Sequence, residues 1–409
     1  MNVVKFKYFD DFHCLGPDCK DTCCKDWHIY ITKREYLDYK KMKCSPELRR
    51  LLDDSFKRIK TSSNDTVYAE VKFNEDNKCP LLGKDSLCML QKELGENALS
   101  LTCNVFPRIR SFVGGTTLLE SCTATCYHVV ELLMQHPEGL EIVEEEYDKK
   151  DKYINKGLSS GYSVNKTNKE FPYFWNIINA EVDILQNRNF TFSERMLILG
   201  YFCQKANEYV QKDTMDKIPG LAAMLLDNEL CRKISDSLKP PYSEGRIASE
   251  SLNMLIGMRE RIKTTPWLTV SNNLFDRVFE RLECKPIIEN GEKKYQFKVP
   301  EYLKLIETFR NLEKERSYII ENLLVNMIFS YNPQKGLWGN YFEMAVFYNT
   351  LKVCVPVFLP ENYSDGDLAL ALTSTVKMIL NSDTANIETA CSFIQKDQYT
   401  LPYAAFLIC

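Results

Sequence analysis

Over most of the second half of the chain, apolar residues recur at three- and four-residue intervals, the period of helices that bury one face. Thr191-Phe192-Ser193-Glu194 is a capping-box pattern: the Thr hydroxyl accepts an orphan amide proton and the Glu reaches back. It precedes Met196, Leu197, Leu199, Phe202 and Tyr209, and predicts a helix over 192–212. Between 316 and 331, Ile319, Ile320, Leu323, Leu324, Met327, Ile328 and Tyr331 form one apolar stripe, with Pro333 to end it. Further helices are expected over 337–355, where Trp338, Tyr341, Phe342, Val346, Phe347 and Leu351 recur, and over 368–380. These stripes are expected to pack as core. Lys239-Pro240-Pro241 is a loop, because the residue before a proline is pushed out of the helical region. Pro286 to Phe297, with Glu289-Asn290-Gly291-Glu292 at its centre, reads as a hairpin.

The first third is patterned differently. Trp27 to Thr32, Val67 to Phe73 and Ile109 to Leu119 read as short strands, and Arg34 to Lys43 and Glu47 to Lys60 as helices. A charged stretch beginning at Glu141 runs into Gly157-Leu158-Ser159-Ser160-Gly161, which marks a linker or exposed excursion. The expected organisation is a cysteine-rich domain over 1–145, a linker over 146–170 and a mainly helical domain over 171–409. The expected fold class is mainly α, with a small mixed α/β cysteine-rich N-terminal domain and a C-terminal helical domain.

Composition narrows the function. With 409 residues and 44% hydrophobic content, the chain can bury a sizeable core. Its net charge of −4, with basic residues scattered among similar numbers of acids, lacks the basic footprint of a nucleic-acid binder. No run of 18 or more apolar residues is present, so no membrane span is expected. The first ten residues have no apolar core of signal-peptide length, so a cytoplasmic location is expected. A protein or small-molecule partner is the expectation that remains.

Ten of the sixteen cysteines lie in the first 126 residues, opening with Cys14, Cys19, Cys23 and Cys24. Disulfides are rare in reducing compartments and scaffolds built on them are mostly short chains, so a metal centre is favoured over a disulfide framework or inert thiols. Thiolates are soft ligands that select zinc or iron–sulfur clusters. Eight positions are candidates: Cys14, Cys19, Cys23, Cys24, Cys79, Cys88, Cys103 and Cys122. One cluster with spare thiols and two metal sites both fit. On an extended backbone the Cys23 and Cys24 side chains would diverge and serve different roles. Cys44 and Cys126 are in reserve; Cys203, Cys231, Cys284, Cys354, Cys391 and Cys409 are expected to be inert. His13 and His128 adjoin cysteines and are secondary candidates, whereas His28 and His136 are expected to be structural. The paired C-x2-C knuckles of zinc ribbons and the C-x2-C-x2-C run of ferredoxins are absent. The radical-enzyme spacing C-x3-C-x2-C fails because Asp26 stands where its third cysteine would be. Neither G-x-G-x-x-G nor a P-loop is present, so common nucleotide sites have no support.

The series Cys14-x4-Cys19-x3-Cys23-Cys24 with Trp27 and Ile29, then Cys79-Pro80-Leu81, Cys88, Leu101-Thr102-Cys103, Phe106-Pro107-Arg108 and Ser121-Cys122, resembles the flagellin lysine-N-methylase family within a broader cysteine-cluster group. The motif match covers roughly residues 8–128, and the helical part, including Ile320-Glu321-Asn322, is similar in layout only. The resemblance implies methyl transfer from S-adenosylmethionine to lysine ε-amines of flagellin or a related surface protein, with an iron–sulfur cluster, of the 4Fe-4S type as the first expectation, held by the cysteines. Zinc is the alternative metal. The methyl donor is expected near the cluster, since no other cofactor signature exists. Lysine must lose its proton to act as a nucleophile, and free Lys titrates near about pH 10.4. With 22 tyrosines and many acids, no single base can be named. Arg108 is the candidate for holding a carboxylate of donor or substrate, against a structural ion pair. The competing readings are a zinc-stapled interaction protein and an iron–sulfur redox protein.

Overall fold

A computed structural model describes residues 2–25, 27, 29–146, 161–262, 269–289, 292–380 and 399–409. Asp26, His28, the 147–160 part of the expected linker, the Asn290-Gly291 turn and Cys391 lie outside the described residues.

The first strand, β1 (Asn2–Phe6), is followed by a stretch without long elements that carries Cys14 to Cys24. Then come β2 (Tyr30–Ile31), α1 (Lys33–Lys41), α2 (Pro46–Asp54), β3 (Phe56–Arg58) and β4 (Ala69–Val71), whose strands form a small antiparallel sheet in the order β2-β4-β3. Thr32 and Glu35 form a capping box at the start of α1, and Ser45 caps α2 ahead of Pro46. The helix expected over 47–60 stops at Asp54. Ser55 turns the chain there, and residues 56–58 find a better partner in β4.

Two short helices, α3 (Met89–Leu94) and α4 (Leu101–Val105), lead into β5 (Arg108–Val113), β6 (Thr117–Cys122), α5 (Tyr127–Met134) and β7 (Ile142–Glu146). The single strand expected over 109–119 is a hairpin, turned by Gly114 and Gly115, both at positive φ. The larger sheet has the order β5-β6-β1-β7, with β1 parallel to β6 and antiparallel to β7. The charged stretch after Glu141, expected to be an excursion, begins as an edge strand, where glutamates suit an edge that faces water.

The rest is helical: α6 (Phe174–Gln186), α7 (Phe192–Gln211), α8 (Ile218–Met224), α9 (Asn228–Leu238), α10 (Glu244–Ile262) and α11 (Thr269–Arg281). After the hairpin β8 (Lys285–Glu289) and β9 (Glu292–Gln296) follow α12 (Val299–Ile328), α13 (Gly336–Phe358), α14 (Asp365–Leu380) and α15 (Leu401–Ile408). The expected capping box is present at Thr191, and the hairpin lies where its turn residues place it. The helix expected from 316 extends back to Val299, and residue 316 is its kink: Arg316 has φ −142° and ψ 46° and pairs with Asp365. The chain is mainly helical with small sheets near its N-terminus.

Two hydrophobic cores result. The small one joins Ile29, Ile31, Tyr39, Leu48, Leu52, Val71, Leu81 and Leu90. The large one runs from Val4 on β1 to Ile408 on α15, so residues before 145 contribute to both. At its centre α13 packs against α7, α12, α14 and α15, while α12 and α14 also pack on α5. Polar stitches fix that docking. Asn326 Nδ2 donates to Cys122 O (2.8 Å), and Asn322 Nδ2 to Leu133 O (2.8 Å) and His136 O (2.9 Å). Among the described residues, no helix is long and apolar enough to cross a membrane.

Candidate metal centre

Local hydrogen bonds bring distant cysteines together. The Cys79 amide donates to Cys24 O (2.8 Å), which sets the Cys79 segment beside the opening run. From there the chain folds back as a tight loop in which Met89 N donates to Leu81 O (2.8 Å), so Cys88 returns to the same side. Ser100 caps α4 by accepting from Cys103 N (3.3 Å), and Thr102 Oγ1 donates to Tyr30 O (3.1 Å), anchoring the one-turn helix that presents Cys103. Trp27 Nε1 donates to Cys23 O (2.6 Å), with its ring 5.2 Å from that of Phe106.

These segments enclose a cavity of about 530 Å3 lined by Cys14, Cys19, Cys23, Cys24, Cys79, Cys88, Cys103 and Cys126. Electrostatic coupling divides the thiols. Cys79 feels Cys24 and Cys88, and Cys103 feels Cys24, Cys79 and Cys88, so these four form one group on the small core. Cys19 feels Cys14, and Cys126 feels Cys19, which defines a second group toward the large core. Cys23 lies between, feeling both Cys103 and Cys126.

Burial pushes the thiols up: Cys79 to about 12, Cys126 to about 11, and Cys103 well beyond its ordinary value. Cys24 goes the other way, lowered to about 7 chiefly by the neighbouring Cys23 thiol. The two adjacent cysteines both line the one cavity. The backbone bends at these two residues where an extended run would have sent the side chains apart.

Seven of the eight candidates line the cavity. Cys122 does not: it is fully buried at the end of β6, where its amide donates to Tyr8 Oη (3.1 Å). Cys126 lines the wall in its place, a position that Cys122-x3-Cys126 spacing alone does not distinguish. Cys44 packs on the small core away from the lining. His13 and His128 both line the cavity, with ring centroids 4.9 Å apart. His128 Nδ1 lies 3.3 Å from Glu131, and its buried Nε2 has no hydrogen-bond partner among the described residues. Arg108 lines the same wall with its guanidinium 5.0 Å over the Phe12 ring, and beside Cys122 it favours that thiol's ionised form.

Asp21, which sequence reasoning passed over, ties this wall to the helical region. Its carboxylate meets Lys377 of α14 at 2.6 Å and Lys25 at 2.8 Å. Burial alone would raise its pKa, but the two lysines hold it below the usual range. A buried Asp–Lys pair 356 residues apart has no local sequence signal.

The donor set suits a soft metal in kind. Four thiols, Cys79 buried and Cys24, Cys88 and Cys103 half-buried, line the cavity, and an orphaned imidazole nitrogen lies in its wall. Cys79, Cys88 and Cys103, which burial holds protonated, are groups whose ionisation a bound cation would compensate. Among the described residues no three ligands converge on one metal position.

The model of the FliB lysine N-methylase C-terminal domain matches residues 180–407, more than half of the chain. A lysine-N-methylase of Salmonella choleraesuis (strain SC-B67) is 30% identical over 145 residues, which are 35% of this chain and 35% of that protein. A lysine-N-methylase of Salmonella typhimurium (strain LT2) is 31% identical over the same shares. The flagellar biosynthetic protein FliU of Salmonella muenchen is 30% identical over 145 residues, 83% of its length. The match spans about a third of the two lysine-N-methylases. No solved structure matches. With the family model covering α6 to α15 in a chain whose N-terminal cysteines wall one cavity, this protein belongs to the FliB lysine N-methylase C-terminal domain family.

Proposed function

We propose that the chain is a protein-lysine N-methyltransferase that uses S-adenosylmethionine, carries an iron–sulfur cluster on Cys24, Cys79, Cys88 and Cys103, and acts on flagellin or a related surface protein in the cytoplasm before export. The observation that carries this reading is the family match over 180–407 joined to a cysteine-lined cavity. At about 530 Å3 the cavity falls in the ~300–1,000 Å3 range of small-molecule sites, large enough for a nucleoside-bearing donor. A bound cluster would supply redox-active iron and an anchoring charge at the small-core end. Arg108, which lines the same cavity, carries a planar guanidinium of the kind that pairs with a carboxylate such as the donor's. Apolar walls that include Phe12, Leu15, Trp27 and Phe106 exclude water and so favour the neutral form of an entering lysine. The amine nitrogen then takes the methyl group as the sulfur–carbon bond breaks, leaving a neutral thioether and a methylammonium.

The test is anaerobic purification and reconstitution, quantification of iron, sulfide and zinc, and transfer of labelled methyl from the donor to unmodified flagellin. The expected result is a brown protein that labels flagellin, with Cys79→Ser and Cys103→Ser losing both iron and transfer. Stoichiometric zinc without iron overturns the cluster, and absence of labelling by the reconstituted protein overturns the methylase.

A further inference from the structure

A second cavity, of about 180 Å3, opens between the helical region and the back of the β5–β6 hairpin. It is separate from the cysteine cavity, though the same chain segments pass both: Arg108 and Cys126 line the first, whereas Ile109, Thr123 and Ala124 line the second. Its size is well below the ~300–1,000 Å3 of pockets for drug-sized ligands, which restricts the guest to something like one side chain.

One buried carboxyl in the lining lacks an ionic partner among the described residues. Glu181 of α6 is buried, and among the described residues its side-chain hydrogen bond comes from the Cys203 thiol of α7 at 3.5 Å. No ion pair compensates it among those residues, although buried carboxylates are normally paired. The other ionisable groups facing the cavity have partners. Lys335 pairs with Glu343 of α13, and Tyr331 Oη, just beyond α12, donates to Glu170 (3.1 Å). Burial raises the Glu181 carboxyl to about 7, and a cation entering beside it would favour its ionised form. Met327, Met344, Phe347, Val376 and Ile379 give apolar walls that suit a methylene stem. Two exposed apolar residues, Tyr162 and Leu380, stand at the lining's edge, 37% and 36% exposed. Tyr162 is held there by its neighbours, since Gly161 N donates to Arg110 O (2.9 Å) and Val164 N to Phe112 O (2.8 Å).

We propose that this second cavity is a recognition pocket for a lysine side chain of a polypeptide, its ammonium paired with Glu181 and its four-carbon stem against the methionine and phenylalanine walls. It rests on the methylase reading only in naming that polypeptide as the substrate. Docking there would hold the polypeptide across the 123–126 turn from the cysteine cavity.

The test is titration of the reconstituted full chain with Nα-acetyl-lysine methylamide, followed by isothermal calorimetry, against the norleucine analogue that keeps the stem and lacks the charge. The lysine probe is expected to bind and the norleucine probe to bind about tenfold more weakly or worse, as for loss of a charged hydrogen bond. Glu181→Gln, which keeps shape and burial, is expected to abolish that discrimination. Tyr162→Arg, an exposed change, is expected to weaken the lysine probe by like charge at the mouth. Equal affinity for both probes, or unchanged lysine binding in a folded Glu181→Gln protein, overturns the pocket. Flagellin labelling separates this from the methylase reading. Labelling by Glu181→Gln with unaltered KM defeats the pocket and leaves the enzyme, whereas Glu181-dependent probe binding without any labelling leaves the pocket and defeats the enzyme.

Discussion

The small core beneath Cys24, Cys79, Cys88 and Cys103 contains ten buried residues, one of them a thiol, while the large core runs through every helix from α5 to α15 and encloses several ionised side chains. A core of the first kind has little apolar area to offset chain entropy, and gains from docking or a bound metal. The second has area to spare, and can bury Glu321 between Arg195 (2.6 Å) and Arg188 (2.8 Å). The contrast teaches a division of roles: the large core has the area to supply stability, and the small one carries thiols that line the cysteine cavity.

The strongest way to break the comparison is at Glu321. Glu321→Ala leaves the buried Arg195 without its carboxylate and is expected to cost about 3–5 kcal/mol in chemical denaturation. A loss below about 1 kcal/mol would show that the large core does not depend on its charges. Next is Glu181, where the sign reverses. Its native carboxyl keeps a proton up to about pH 7 that the unfolded chain loses near its ordinary value of 4.5. The native state therefore binds more protons across that window, and stability is fully present below it and falls as pH rises through it. Glu181→Gln removes the fall, and is expected to be roughly 3 kcal/mol more stable than the native chain at pH 8 and little different at pH 4.

Smaller effects sharpen the boundary between the cores. Lys377→Met removes one of the two cations on Asp21 and is expected to cost about 1–2 kcal/mol, read as faster amide exchange around residues 21–25 than in α13. Smallest is the pair of capping boxes. Thr191→Ala is expected to lower global stability by about 1 kcal/mol, while Thr32→Ala costs a similar amount that appears only in exchange of α1 and its neighbours. Equal exchange profiles in the two variants would merge the cores into one cooperative unit.

What the sequence reveals follows the range of the interactions. The Thr191 capping box, the 285–296 hairpin and the stripes of α13 and α14 are written in residues a few positions apart, and the structure has them there. β1 escaped notice because its partners β6 and β7 lie more than 100 residues away, and nothing in Asn2–Phe6 announces them. The same holds at the site. Spacing picks out a cysteine series, but whether Cys122 or Cys126 faces the cavity depends on how β6 ends and α5 begins. Glu181 carries no motif at all; its isolation arises only when α6, α7 and α12 close around it.

The placement of β1 between β6 and β7 also orders events during synthesis. The opening cysteines leave the ribosome with their strand, yet the sheet that fixes the segment behind them cannot close until residue 146 has followed. At roughly 5–20 residues per second, Cys14 to Cys24 wait on the order of ten seconds in an open chain. Through that interval the thiols of this segment stand open to solvent, and they are enclosed only once α14 follows and Lys377 comes down over Asp21.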